Sequence, residues 1–344
     1  MEKNKILHVM TLDKFLPPFI DFIDEHFGRE NHHYVFINNK EFQYGLTTEY
    51  NVEFLNTDDE IFITLLEYMK RAEKIILHGL WRDRVNSLLY FNQKLLKKCY
   101  WVMWGGDFYF PKTQSWAKKQ IIKKMGYLVT GNRGDYKLAK KWYKAKGKQI
   151  DSFIYPSNLY KKYDQQSKKH ETINIQVGNS ADPTNNHLEA FTKLIRYKDE
   201  DIKIYTPLSY GNKEYANEII FKGNELFGEK FIPLTEFISF EKYIELLSEI
   251  DIAIFLHNRQ QAMGNTITLL GLGKKVYMRN DVTTWKLFND IGVKIFDQND
   301  INLSQLAEEE AKSNIEKIKK HYSKNILIKS LEQLLLKTRK GKIK

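Results

Sequence analysis

Short runs of β-branched and aromatic residues alternate with longer stretches of helical period along almost the whole chain, and the series begins twice. That alternation predicts parallel sheets covered by helices, an α/β architecture. The first series places strands at 5–10, 33–38, 51–55, 74–79, 99–105 and 127–131, separated by helices at 14–27, 58–71, 83–97, 112–125 and 134–146. Residues 156–171 are polar and lysine-rich with little aliphatic content, and read as a linker. The second series places strands at 172–177, 202–206, 231–234, 250–256, 275–278 and 293–296. Its helices fall at 184–197, 212–227, 239–249, 265–271, 283–290 and 303–320. The expected organisation is two doubly wound, Rossmann-like domains, 1–155 and 172–325, facing each other across a cleft, with 326–344 as a helical tail. Ligands of such sheets lie beyond the carboxyl ends of the strands.

Several function classes are excluded early. The first strand runs into Thr11-Leu12-Asp13-Lys14-Phe15, with no glycine where a dinucleotide fold needs close backbone approach to a pyrophosphate. No Gly-x-x-x-x-Gly-Lys-Ser/Thr loop is present either, so neither a nicotinamide or flavin cofactor nor phosphoryl transfer from ATP is expected. Cys99 is the one cysteine, which rules out an internal disulfide and a cysteine-built zinc site. Asp199-Glu200-Asp201 is an Asp-x-Asp match that precedes a strand and does not follow one, so no metal is expected. There is no apolar run near the ~20 residues of a membrane span. The opening residues lack the apolar core of a secretion signal, which predicts a cytoplasmic protein.

The charge is concentrated. The chain carries a formal net charge of +11, yet residues 94–148 alone hold fourteen Lys and Arg133 against Asp107 and Asp135, a surplus of 13. Within this stretch Trp116 to Met125 reads as a basic amphipathic helix with Trp, Ile and Met on its apolar side. Such a helix suits an anionic membrane surface, with Trp116, Lys118, Lys119, Lys123 and Lys124 as contacts. A solvated lysine face and a nucleic-acid-binding stripe are the alternatives, and no nucleic-acid recognition motif accompanies the stripe.

Polar clusters stand at the strand ends. In the second half they are Gly178-Asn179-Ser180, Tyr210-Gly211-Asn212 with Glu214, and Arg259-Gln260-Gln261 leading to Gly264-Asn265-Thr266 at a helix start. Free N–H groups there attract an anion, and Arg259 adds a guanidinium suited to phosphate. Together they predict a nucleoside-diphosphate site. In the first half, His78 follows the fourth strand, and Asp107 lies in the Gly105-Gly106-Asp107 turn after the fifth. Both are candidate general bases, Asp107 preferred, with Asp13 and Asp135 as weaker candidates.

These residues carry a resemblance. His78-Gly79 with the leucine-rich helix after it, Trp104-Gly105-Gly106-Asp107-Phe108-Tyr109, Arg133-Gly134-Asp135, Val177-Gly178-Asn179-Ser180, Tyr210-Gly211-Asn212 with Glu214-Tyr215, Phe240-Glu241-Lys242-Tyr243, Arg259-Gln260-Gln261 and Trp285 span residues 5 to 295. In these the chain resembles the TDP-N-acetylfucosamine:lipid II N-acetylfucosaminyltransferase family of enterobacterial common antigen synthesis. The resemblance implies a GT-B fold, with donor in the second domain and acceptor in the first. It also implies inverting, metal-independent transfer of 4-acetamido-4,6-dideoxy-D-galactose from a dTDP donor to a polyprenyl-diphosphate-linked saccharide. Retaining GT-B enzymes commonly carry a glutamate in the donor loop, whereas residues 264–273 hold no acid. The expected location is peripheral, on the cytoplasmic face of the inner membrane. A transferase of another dTDP- or UDP-linked deoxy-amino sugar would keep the same motifs, and a basic nucleic-acid-binding protein is the alternative outside enzymes.

Overall fold

The computed structural model describes residues 1–162 and 171–336. The chain divides into two compact units, Met1–Asn158 with Lys324–Lys344, and Leu159–Ser323. Residues 163–170 of the expected linker and 337–344 of the expected tail lie outside the described residues.

Among the described residues, unit 1 holds seven parallel strands, β1 (Ile6–Met10), β2 (His32–Phe36), β3 (Glu53–Phe54), β4 (Lys74–His78), β5 (Cys99–Val102), β6 (Tyr127–Val129) and β7 (Lys148–Ile150), in the order β3-β2-β1-β4-β5-β6-β7. Their helices are α1 (Leu16–Phe27), α2 (Leu66–Arg71), α3 (Asp83–Phe91), α4 (Trp116–Lys124) and α5 (Arg133–Tyr143). Ile6 pairs with His32 on one side and Lys74 on the other, so β1 is central and the chain reverses its winding between β1 and β4. The core is aliphatic and aromatic, with Leu7, Val35, Ile75, Leu89 and Trp101 fully buried. The helix expected over 58–71 divides into a wider π-type stretch, Glu60–Leu65, and α2. Its start is fixed by the Glu60 carboxylate, which accepts the N–H groups of Asn56 and Thr57.

Among the described residues, unit 2 holds six parallel strands, β8 (Ile173–Val177), β9 (Ile202–Pro207), β10 (Phe231–Leu234), β11 (Ile252–Phe255), β12 (Lys275–Met278) and β13 (Phe296–Asp297), in the order β10-β9-β8-β11-β12-β13. The helices are α6 (His187–Leu194), α7 (Lys213–Phe227), α8 (Phe240–Glu249), α9 (Met263–Gly271), α10 (Thr283–Asp290) and α11 (Glu308–His321). Winding reverses between β8 and β11. In open sheets of this kind the crevice at such a reversal, beyond the strand carboxyl ends, is where ligands bind.

The last helix, α12 (Lys324–Leu335), belongs to unit 1. Leu327, Leu331 and Leu334 are fully buried, and Ser330 Oγ meets Ser152 Oγ at 3.0 Å. Lys74 Nζ donates to the carbonyls of Leu334, Leu335 and Leu336, supplying positive charge where the helix dipole is negative.

Candidate active site

The polar clusters of unit 2 converge on one buried residue that the sequence motifs leave out. Asn185, 1% exposed, accepts the Asn179 N–H at 2.8 Å and faces His257 Nε2 at 3.0 Å. Its amide nitrogen donates to Ser180 Oγ at 3.3 Å and to the Asp182 carbonyl at 3.0 Å. An oxygen that accepts from both sides requires His257 Nε2 to carry its proton. Burial, with the Arg259 cation adding to it, pushes His257 down to about 3, so the imidazole is neutral. Asn185 therefore ties the β8 turn to the β11 turn across the reversal of winding.

Outward from this hub, Asn179 Nδ2 donates to the Tyr210 hydroxyl at 2.9 Å, and Gln261 Nε2 donates to Asn179 Oδ1 at 3.3 Å. Thr184 Oγ1 holds the other end of Gln261 at 2.7 Å. Gly211 has φ +118 and lies against the Ala181 backbone, whose oxygen would sit 2.6 Å from an added Cβ, so a side chain there would push the Tyr210 turn away. Arg259 pairs with Asp182 at 3.1 Å and donates to the Gln260 carbonyl at 3.2 Å. Burial raises the Asp182 carboxyl, but the Thr184 O–H and N–H and the Arg259 charge outweigh it and hold the group below its usual range. Gln260 Oε1 is buried without a partner among the described residues.

The α9 start carries strain. Ala262 stands in the left-handed region at φ 55, unfavourable for a residue with a Cβ. Gly264 and Asn265 follow in the first turn, where N–H groups lack helical acceptors, and both are partly exposed. Thr266 differs from the expectation of a ligand-binding hydroxyl: it is 2% exposed and its Oγ1 donates back to the Ala262 carbonyl at 3.0 Å. Ser180 is likewise turned inward toward Asn185. Asn212 caps α7 by accepting the Tyr215 N–H at 2.8 Å, and Glu214 is exposed on its first turn. The structure thus brings Asn179, Tyr210, Arg259 and Gln261 into one network with Asn185, Asp182 and Thr184, and leaves Glu214 outside it.

Unit 1 corrects both candidates for the base. Asp107 is 0% exposed, and its oxygens accept the Leu80 N–H at 3.1 Å, the Trp101 indole N–H at 2.7 Å and the Trp104 N–H at 3.0 Å. Burial raises its carboxyl above the usual range while these donors pull it back. It clamps the β4 and β5 turns together and has no face open to an acceptor. His78, 1% exposed, lies in a buried chain: Trp104 Nε1 donates to the Tyr155 hydroxyl at 2.9 Å, which meets His78 Nδ1 at 2.8 Å. His78 Nε2 then meets His8 Nδ1 at 3.1 Å, and His8 Nε2 meets His32 Nδ1 at 2.8 Å. Trp104 can only donate, so a single polarity satisfies every link, with each imidazole neutral and protonated at Nε2. Burial pushes His78 to about 3 and His32 to about 4, and lowers His8 well below its ordinary value. Asp135 is also buried, accepting from the Tyr109 hydroxyl at 2.7 Å. Asp13, on the loop after β1, keeps partial exposure, and desolvation raises its carboxyl above the usual range despite Lys14 beside it.

Among the expected membrane contacts, Lys118 is corrected. Ile121 and Ile122 of α4 are fully buried in the core, and Lys118 is 9% exposed, its Nζ donating to the Asp107 carbonyl at 3.4 Å and to Gln114 Oε1 at 2.8 Å. Lys118 is therefore an interior brace and not a surface contact. Trp116 is 61% exposed and stacks edge-on against Tyr90, beside Phe91 at 77%. Lys119 and Lys123 are partly exposed, and exposed Lys124 donates to Gln93 at 2.6 Å. No helix among the described residues is long and apolar enough to cross a membrane, and no group of three His, Cys, Asp or Glu among them is placed to hold a metal ion.

Known structures share this architecture. A glycosyltransferase from Rickettsia africae superposes with TM-score 0.71 at 12% identity, over 97% of this chain and 98% of that one. Anabaena HepE, solved with UDP and glucose, gives 0.69 at 12% identity over 96% and 99%. An E. coli trehalose-6-phosphate protein bound with UDP-2-fluoro glucose gives 0.67 at 9% over 96% and 98%. At these identities the likeness establishes the GT-B fold. The sequence match is more specific, since the 4-alpha-L-fucosyltransferase family, glycosyl transferase group 56, covers residues 6–331. The chain belongs to that family and is a GT-B glycosyltransferase.

Proposed function

We propose that the enzyme transfers 4-acetamido-4,6-dideoxy-D-galactose from a dTDP donor to a polyprenyl-diphosphate-linked saccharide, with inversion and without a metal ion. The observation that carries the donor half is the network tying Asn179, Tyr210 and Gln261 to the Arg259 turn at the reversal between β8 and β11. As the bond to the anomeric carbon breaks, negative charge collects on the diphosphate. Arg259, oriented by Asp182, and the first amides of α9 stabilise that charge. Asn179, Tyr210, Gln260 and Gln261 orient the nucleotide. A solved GT-B structure, HepE, holds UDP and glucose, which supports the nucleotide-sugar class.

For the acceptor half, Asp13 takes the part of general base. It lies at the carboxyl end of the central strand, retains access to solvent, and its raised carboxyl is closer to the working pH than an ordinary aspartate. The exposed Trp116 and Phe91 with Lys119, Lys123 and Lys124 suit an anionic inner-leaflet surface, where a polyprenyl-linked acceptor resides.

A panel of dTDP- and UDP-sugars with lipid-linked acceptor tests the reading. Turnover with the dTDP deoxy-amino sugar that persists in EDTA, with an anomeric configuration opposite to the donor's by NMR, supports it. Preference for another sugar nucleotide overturns the donor assignment, and loss of turnover in EDTA overturns metal independence.

A further inference from the structure

The reversal of winding in unit 1 has its own crevice, between the carboxyl ends of β1 and β4, lined by Thr11, Leu80, Trp81, Arg82, Val85 and Asn86. Three features of it point to a ligand. Asn86 is 1% exposed, and its Nδ2 faces two acceptors, the Leu80 carbonyl at 3.3 Å and Asp83 Oδ1 at 3.5 Å, which fixes the amide orientation. Its Oδ1 is left buried without a partner among the described residues, an unfavourable state that a ligand donor would relieve.

The second feature is aromatic. Trp81 is 40% exposed, and its indole nitrogen lies 2.2 Å from where a Cβ on Gly79 would be, at φ +80, so only glycine lets the ring lie down there. Trp104 stands edge-on to it at 6.0 Å and to Phe15 at 5.9 Å. The Trp104 indole N–H is already given to Tyr155, so what Trp104 offers a ligand is ring surface. The buried Tyr155–His78–His8–His32 chain, otherwise unused, holds that ring in place. Thirdly, Arg82 donates Nε to Thr11 Oγ1 at 3.2 Å, while its terminal nitrogens meet no acceptor among the described residues.

Aromatic surface, a buried acceptor and a guanidinium together match a pyranose that carries a phosphate. Resting on the glycosyl-transfer reading above, we propose that this crevice is the subsite for the sugar-phosphate portion of the acceptor. Trp81 stacks on the C–H face of the pyranose, Asn86 Oδ1 accepts one hydroxyl or amide N–H, and Arg82 pairs with the adjoining phosphate. Tyr155 is a positioning residue for Trp104.

The test titrates the full chain with N-acetylglucosamine 1-phosphate by tryptophan fluorescence, with inorganic phosphate alongside and dTDP and UDP measured by calorimetry. Wild type should bind the sugar phosphate saturably. Trp81→Ala should weaken that binding about three- to ten-fold and Arg82→Gln by about ten-fold or more, with nucleotide affinity unchanged. Tyr155→Phe should raise the acceptor KM while leaving nucleotide affinity intact. Asn86→Leu should also weaken sugar-phosphate binding, and because Trp81 is exposed its variant keeps the test valid if the buried Asn86→Leu fails to fold. Equal binding of inorganic phosphate and sugar phosphate would overturn the subsite, as would sugar-phosphate affinity unaffected by Trp81→Ala. Nucleotide binding without any sugar-phosphate binding sinks this inference alone, whereas a wild type that binds no nucleoside diphosphate sinks the reading on which it rests.

Discussion

Asp107 and Asp13 show how alike two carboxylates look in a sequence and how differently they are placed. Both follow a strand, and Asp107, beside two glycines, presents the stronger motif. What decides their roles is three N–H donors: Trp101 and Trp104 on the strand and turn that lead to Asp107, and Leu80, which the fold brings from the turn after β4. Asp107→Asn turns one accepting oxygen into a donor facing another donor, and should cost about 1–3 kcal/mol of stability. A melting curve identical to wild type would refute the clamp. Asp13→Asn should instead melt like wild type and lose about a hundred-fold or more in turnover, with donor affinity retained. Arg259→Ala should weaken dTDP binding by about ten-fold or more, read by calorimetry. Asn185, the hub of the donor network, had only the Asp182-Pro183-Thr184 turn before it as a sequence signal, because its partners Ser180 and His257 meet it through the fold.

Among elements, the strands that were legible are those buried on both faces. Ile252–Phe255 and Lys275–Met278 are buried at every position, and read as apolar runs apart from Lys275, whose Nζ donates to Asn302 and Ser304. β7 was missed because Lys148-Gln149-Ile150 pairs on one side only and carries no apolar pattern. The amphipathic period of α4 was read correctly, but period alone does not say whether the apolar face meets lipid or core, and Ile121 and Ile122 meet core. Charge reversal at Lys119 and Lys123 should reduce flotation with anionic vesicles, whereas Lys118→Met should change stability and leave flotation alone.

The histidine chain belongs to the same scale, since it crosses β2, β1 and β4. His8, His32, His78, His187 and His257 all have lowered pKa values in the folded state, whereas unfolded imidazoles take up a proton near ~6.5. Below that pH the unfolded chain binds more protons, so stability is flat above it and declines as acid is added, down toward the folded values. Each histidine should cost about 1 kcal/mol between pH 6.5 and 5.5. Thermal melts should show this slope, and a melting temperature constant across that interval would contradict neutral burial.

At the level of the whole molecule, two winding reversals were foreseeable from a series that starts twice, but the allegiance of α12 was not. A lysine-rich amphipathic tail looks the same whether it packs on the nearer or the farther unit in sequence. Lys74, far away along the chain, and Ser152 settle it in favour of unit 1. Removing residues from Lys324 onward should lower the melting transition of unit 1, with three fully buried leucines lost at about 1.5–3 kcal/mol each, and spare that of unit 2. Calorimetry showing both transitions unmoved would count against the assignment.

That late helix also sets a timetable for synthesis. Leu159–Ser323 is made in full before the first residue of α12 leaves the ribosome. At ~5–20 residues per second the amino-terminal sheet waits roughly ten to thirty seconds with the seat of α12 empty. During that interval the nascent chain leaves uncovered the apolar surface that Leu327, Leu331 and Leu334 later bury, and its yield in a cell depends on what shields that surface until α12 emerges.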